Sequence, residues 1–290
     1  MHTPYLAHVA RTAYGIARAR TFTDIPYSQQ VFDSLTKILT ENGEWVDEPA
    51  DLPMVPLYEA RYLLADRLLQ ENGVDQVLEV AAGLSLRLWL MVLPSSYPKY
   101  RCVEIDQPIM VALKKKILGD IMFPSEEISR GNFNGWYLEA GDALNRRSLT
   151  KACEHFREKH PIAVINEGLA VYFDHKEKAQ YGENVRHLLG RFGGLWITPD
   201  IMIEDAFSNI PEWLEIKKAW YARINKNLDG YNFRNVTEAQ KFYDRLGLSV
   251  EVHWLTEVID ELVSPERIGL SREIVRGMLS RWPLFVMRPR

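Results

Sequence analysis

Acidic residues follow four successive stretches that are typical of β-strands. Glu79, Asp106, Asp142 and Glu167 each lie in or directly after a short apolar run. Ligands of an open α/β sheet bind at the carboxyl ends of its strands, near the point where the strand order reverses. We therefore expect these carboxylates to surround a ligand-binding site.

The turn after the first of these runs contains small residues. Residues 81–85 read AAGLS, so the backbone there can approach a ligand closely. The turn lacks the GxGxxG spacing that a dinucleotide pyrophosphate favours, which argues against a nicotinamide oxidoreductase. A ring of carboxylates instead suits a ligand with hydroxyls, an exocyclic amine and a cationic centre. S-adenosyl-L-methionine carries all three groups.

The elements that position these residues alternate along the chain. The pattern predicts strands at 76–80, 100–105, 136–139, 162–166 and 194–198, with helices at 110–118, 144–160 and 175–192 between them. A strand at 249–254, a helix at 271–280 and a strand at 284–287 complete the pattern. This order predicts an α/β fold with a doubly wound, seven-stranded, mostly parallel sheet.

Two further segments are predicted to be helical. Residues 1–72 form an N-terminal cap, with helices at 6–20 and 56–72 and a loop at 40–56. Residues 73–290 form the core, which carries a helical insertion at about 200–240. The insertion is rich in aromatic residues, for which packing in the core is the default reading.

Composition excludes several classes of protein. The 290 residues carry a net charge of −4, which argues against a broadly basic nucleic-acid-binding protein. We find no signal peptide and no apolar run of spanning length, so we expect a cytoplasmic protein without a membrane partner. Cys102 and Cys153 form no CxxC pair, and no metal site is predicted.

At this point a family resemblance becomes specific. Residues 77–87 (VLEVAAGLSLR) resemble the first motif of the leucine carboxyl methyltransferase family, roughly LGAGLDTR. VEIDQP followed by MVALKKKIL, GDAL and NEGLAVYF resemble its second, third and fourth motifs, in order and at the right spacing. EARYLLADRLL resembles the helix before the first strand, and RTAYGIARAR the N-terminal lid of the bacterial, tetracenomycin-type branch. The resemblance covers about residues 11–200 and departs from the pattern at Ala81 and Ser85, where the family has Gly and Asp.

The resemblance implies a Rossmann-like methyltransferase sheet and a set of residue roles. Arg61 would pair with the carboxylate of S-adenosyl-L-methionine, and Asp106 would accept from both ribose hydroxyls. Glu167 would lie near the methionine amino group. Glu79, Ala81 and Gly83 would contact the cofactor, and Asp142 and Ala143 would contact its adenine. Tyr172 would face the acceptor. We predict that Tyr172 and Arg61 are the catalytic residues.

The implied reaction is an O-methylation that leaves S-adenosyl-L-homocysteine. The sequence offers no confident general base, which favours a carboxylate acceptor over a phenol. His175 stays open as a base, and an arginine of the lid stays open as a ligand of an acidic acceptor. We expect a small-molecule, polyketide-like acceptor. The alternatives are a protein C-terminal carboxyl group, methylation of nitrogen or carbon, and a non-catalytic cofactor-binding or scaffold protein, for which Ala81 is the best argument.

Overall fold

The computed structural model describes residues 14–43, 52–93, 100–121, 132–133, 135–204, 218 and 230–290. The N-terminal part of the lid, and most of the insertion predicted at 200–240, lie outside these residues. Among the described residues, no helix combines the length and the apolar character that crossing a bilayer requires. The division into a cap at 1–72 and a core at 73–290 stays a prediction.

One mixed sheet organises the chain. Its strands are β1 (Gln76–Val80), β2 (Arg101–Asp106), β3 (Asn132–Phe133), β4 (Trp136–Ala140), β5 (Ile162–Asn166), β6 (Gly194–Thr198), β7 (Leu248–Trp254) and β8 (Pro283–Pro289). The order across the sheet is β3-β4-β2-β1-β5-β6-β8-β7. Strands β4, β2, β1, β5 and β6 are parallel, whereas β8 runs antiparallel to both β6 and β7. The predicted seven-stranded, doubly wound sheet is confirmed, with the two-residue strand β3 added at one edge.

Helices cover the sheet. They are α1 (14–20), α2 (Ser28–Glu41), α3 (Val55–Glu71), α4 (Arg87–Val92), α5 (Pro108–Ile121), α6 (Arg146–Ala152), α7 (His175–Phe192), α8 (Val236–Arg245), α9 (Ser264–Arg267) and α10 (Arg272–Leu279). Every residue of β1 and β5 is buried, as expected for parallel strands covered on both faces. In the strand order given above, β2 lies on one side of β1 and β5 on the other, so the order of the strands reverses beside β1.

The predicted helix at 144–160 is too long. Its helical part is α6, which begins after Asn145, whose side chain accepts the backbone N–H groups of Arg147 and Ser148. One 3₁₀ turn at Cys153–His155 follows, and Phe156 is already extended. The predicted helix at 175–192 is confirmed as α7. It begins at His175 because Asp174 and Glu177 form a reciprocal capping box there.

Candidate active site

A cavity of about 480 Å³ opens at the carboxyl ends of β1, β2 and β5. Its wall comes from α1, α2 and α3, from the turns after those three strands, and from Met202 and Trp282. The predicted site residues in this wall are Arg61, Ala81, Gly83, Asp106, Glu167 and Tyr172. The carboxyl ends of the central strands thus meet at one cavity, as the sequence pattern implies.

The turn after β1 brings backbone to the cavity. Ala81 and Gly83 both have positive φ angles, 57° and 54°. A side chain at Gly83 would meet no atom within 4 Å, because the space over this residue belongs to the cavity. Ala81 holds the same left-handed conformation with a methyl group, and its N–H donates to the Ile105 carbonyl at 2.8 Å. Ala81 is therefore held in a left-handed conformation that its methyl group makes less favourable than it would be for glycine.

Asp106 at the end of β2 is anchored by backbone. One carboxylate oxygen accepts the Gly83 N–H and the other accepts the Gln107 N–H, each at 2.7 Å. Burial raises the pKa of Asp106, and these two N–H donors act against that increase. The carboxylate therefore has a fixed orientation in the cavity wall and retains lone pairs for further donors.

Glu167 after β5 lies between arginines. Its oxygens are 3.1 Å from Arg87 Nη2 and 3.6 Å from Arg20 Nη2. Burial alone would raise the pKa of Glu167, but the charges of Arg87, Arg20 and Arg61 outweigh it and lower that pKa. Glu167 is therefore a stable anion, suited to hold a cation and poorly suited to accept a proton.

Arg87, the last residue of the first motif, lies at the centre of a buried ionic network that its sequence context does not predict. It is 2% exposed, and beneath the turn its Nη1 donates to Glu79 at 2.7 Å. Its Nε donates to Asp66 at 2.5 Å, and its guanidinium lies over the Tyr62 ring at 4.2 Å. The structure places Glu79 in this buried network, outside the cavity wall.

Asp200 is a second residue whose role in the site is not predicted from the sequence. It is fully buried, pairs with Arg61, and accepts the backbone N–H groups of Gly168, Leu169 and Ala170 at 2.8–2.9 Å. Asn166 Nδ2 also donates to it, at 2.7 Å. Asp200 thus fixes both the turn after Glu167 and the predicted carboxylate-binding arginine. A signal was available in the sequence, since Asp200 follows the strand predicted at 194–198 (β6) as the other acids follow theirs.

Comparison with known proteins identifies the family. The sequence model of the leucine carboxyl methyltransferase family matches residues 13–185. The chain belongs to this family. It is therefore an S-adenosyl-L-methionine-dependent methyltransferase, and the resemblance seen in the motifs is confirmed.

Solved structures agree on the fold. A DUF574 family protein from Streptomyces avermitilis superposes with a TM-score of 0.54 at 17% identity, over 96% of this chain and 97% of that one. A putative methyltransferase from Thermobifida fusca superposes with a TM-score of 0.55 at 14% identity, over 98% and 94%. No curated protein matches the sequence significantly.

The cavity of the methyltransferase fits its cofactor. Nε of Arg61 is buried and has no hydrogen-bond partner among the described residues, so the wall holds a donor that a carboxylate would satisfy. Asp106 offers a charged acceptor, as ribose hydroxyls require, and Glu167 offers a fixed anion for an ammonium group. The open space at Gly83 leaves room beside these groups.

The remaining predicted residues lie elsewhere. Asp142 accepts the N–H of Leu144 at 2.9 Å and borders a separate, open depression. The Ala143 carbonyl accepts from Asn184 at 3.2 Å. Their adenine contacts stay predictions.

His175 is not in the cavity wall: its ring centroid lies 5.1 Å from that of Phe233, within an aromatic cluster. The start of α7 faces this cluster, so the described residues give no support to His175 as a base, and that role stays a prediction.

Proposed function

We propose that the chain is an O-methyltransferase that esterifies a carboxylate of a small molecule. The product would be a methyl ester, together with S-adenosyl-L-homocysteine. The favoured acceptor is an acid with an apolar, polyketide-like body.

One observation carries this proposal: the described wall of the cavity contains no His, Lys or Cys. Its two carboxyl groups are Asp106, which the backbone anchors, and Glu167, whose pKa is lowered by Arg87, Arg20 and Arg61 against the effect of burial. A phenol, with a pKa of about 10, would need a base at neutral pH, whereas a carboxylate is already ionised. The wall therefore suits an acceptor that arrives as an anion.

Three charged groups of the wall have a task in this proposal. Arg61 would hold the methionine carboxylate, Glu167 the ammonium group and Asp106 the ribose hydroxyls, while Tyr172 would face the acceptor. When bound, S-adenosyl-L-methionine supplies a methyl group already activated by its sulfonium. The chain's own contributions are alignment of the acceptor oxygen and exclusion of water.

The rest of the wall supports a small apolar acceptor. Ile16, Val31, Leu57, Phe173 and Trp282 all face the cavity. Such a surface stabilises an aliphatic or aromatic body by burial, at about 25 cal/mol per Å² of apolar area. A protein C-terminus is the alternative acceptor.

The test uses S-adenosyl-L-methionine labelled in its methyl group and a panel of aromatic and polyketide-like carboxylic acids, each paired with its phenol or alcohol analogue. We expect label in small molecules from the acids only, and release of labelled methanol by mild base, because esters hydrolyse where ethers do not. Label that resists base would contradict esterification. Cofactor binding without transfer to any acceptor would favour a non-catalytic role.

The Asp106→Ala variant is the control for adventitious methylation. It should lose most of the transfer at subsaturating cofactor. A transfer rate equal to that of the wild type would show that the label does not pass through this cavity.

A further inference from the structure

Asn166, the last residue of β5, has a fully buried side chain. Its Oδ1 accepts from Trp196 Nε1 at 2.7 Å and from the Tyr181 hydroxyl at 3.2 Å. Its Nδ2 donates to Thr198 Oγ1 at 3.0 Å and to Asp200 Oδ2 at 2.7 Å. A side-chain amide has two acceptor positions and two donors, so this amide is fully satisfied.

The Trp196 side chain decides which way the amide points. An indole N–H can only donate, so the atom that faces it must be the amide oxygen of Asn166. The amide nitrogen is therefore turned towards Asp200. The hydrophobic core fixes one end of the amide, and a buried carboxylate uses the other end.

Asp200 connects this amide to the cavity. Its Oδ1 pairs with Arg61, and its Oδ2 accepts from Asn166 and from the backbone of residues 169–170. Arg61 lies in the described cavity wall, whereas Asn166 and Asp200 lie behind it. A carboxylate held through one oxygen cannot turn without losing those bonds, so the amide helps to fix the oxygen that binds Arg61.

We propose that Asn166 is a positioning residue of the cofactor site, which holds the guanidinium of Arg61 in place through Asp200. The inference rests on the proposed function, in which Arg61 binds the methionine carboxylate of the cofactor. Asn166 itself touches no ligand. Its effect should therefore appear as selectivity for ligands that carry this carboxylate.

The test measures that selectivity, which a loss of core stability alone would not alter. Wild type and variants are titrated calorimetrically with S-adenosyl-L-homocysteine and with its decarboxylated counterpart, which keeps the amine. Asn166→Leu removes the donor to Asp200 without adding a charge. We expect it to weaken S-adenosyl-L-homocysteine about tenfold or more, and the decarboxylated ligand about threefold or less.

Tyr181→Phe is the matched control. It removes a hydrogen bond to the other end of the same amide and leaves the bond from Nδ2 to Asp200 in place. We expect this variant to lose stability and to keep the wild-type ratio of the two affinities.

Asn166→Asp gives a second readout, because the new side chain can donate to Asp200 only while it is protonated. The titratable groups around this position are Asp200, Arg61 of α3, Tyr181 of α7 and Tyr243 of α8. Burial and the charge of Asp200 raise the pKa of both tyrosines, which stay neutral. The two carboxyl groups therefore titrate as a pair, and burial favours their shared proton.

The selectivity of Asn166→Asp should consequently depend on pH. At about pH 5.5 it should be close to that of the wild type, because a protonated carboxyl donates as the amide does. By about pH 8.5 it should fall about tenfold or more, because two buried anions then compete for Arg61. If Asn166→Leu does not fold, this pH series decides alone.

Either of two results would overturn the proposal. One is that Asn166→Leu weakens both ligands by the same factor, or weakens neither. The other is a selectivity of Asn166→Asp that stays constant with pH. In both cases the proposed function survives if the wild type prefers S-adenosyl-L-homocysteine to the decarboxylated ligand and esterifies acids. A wild type that binds the two ligands equally would contradict the role of Arg61 and this inference with it.

Discussion

Replacement of Asp106 by Ala should weaken cofactor binding. A carboxylate offers about four acceptor positions, and Gly83 and Gln107 occupy two of them at 2.7 Å. About two positions therefore remain for the ribose hydroxyls. A hydrogen bond to a charged group contributes about 1.5–3 kcal/mol, part of which water restores in the variant. We expect a net loss of about 1–3 kcal/mol, or an increase in Kd of about 5- to 150-fold.

The assay must separate this loss from a disturbance of the turn, since Gly83 also loses its acceptor. Wild type and variant are therefore titrated with 5′-methylthioadenosine and with its 2′,3′-dideoxy analogue. If Asp106 binds the hydroxyls, the variant weakens the first ligand and leaves the second almost unchanged. Equal weakening of both would show that Asp106 acts only on the turn. Unchanged affinity for both would remove Asp106 from the site.

Three further predictions concern stability, each measured by urea unfolding. Glu167→Gln should cost about 1–3 kcal/mol at neutral pH. Because folding lowers the pKa of Glu167, its contribution to the free energy of unfolding is present above the ordinary pKa of 4.5 and is lost as the pH falls through the folded pKa. The stabilities of wild type and variant should therefore converge in acid. A difference in stability that stays constant with pH would contradict the lowered pKa. Ala81→Gly should stabilise the folded protein by up to about 1 kcal/mol, because the φ angle of 57° at Ala81 favours glycine. The control Ala82→Gly should destabilise it. A change of the same sign in both variants would refute the strain at Ala81. Asp200→Asn leaves the buried Arg61 without its anion and should cost about 3–5 kcal/mol, so a loss below 1 kcal/mol would contradict the role of this pair.

Much of the fold follows from local pattern. The bounds of β1, β5, β6 and α7 match the sequence prediction residue for residue. The three strands are short, mostly apolar runs, and the amphipathic helix α7 lies between Asp174 and Gly193. The predicted helix at 144–160 is longer than α6, since the charged residues after Phe156 fit a helix as well as a loop when tertiary packing is unknown. The two-residue strand β3 is too short to produce a pattern of its own.

The candidate site could be predicted only in part. Asp106, Gly83 and Glu167 could be located from sequence because strand ends fix their position at the edge of the sheet. The role of Arg87 could not, since Asp66, Glu79 and Glu167 come together only in the folded sheet. Equally, no local pattern reveals that His175 faces an aromatic cluster instead of the cavity.

The central claim is that this cavity binds the cofactor and directs its methyl group to a carboxylate. The most direct measurement is calorimetric titration of the purified, folded chain with S-adenosyl-L-homocysteine. A second titration then uses S-adenosyl-L-methionine as the titrant, with a carboxylic acid present in the protein solution. We expect saturable one-to-one binding in the first titration, and heat of turnover with ester formation in the second. A folded protein that binds neither ligand would contradict it.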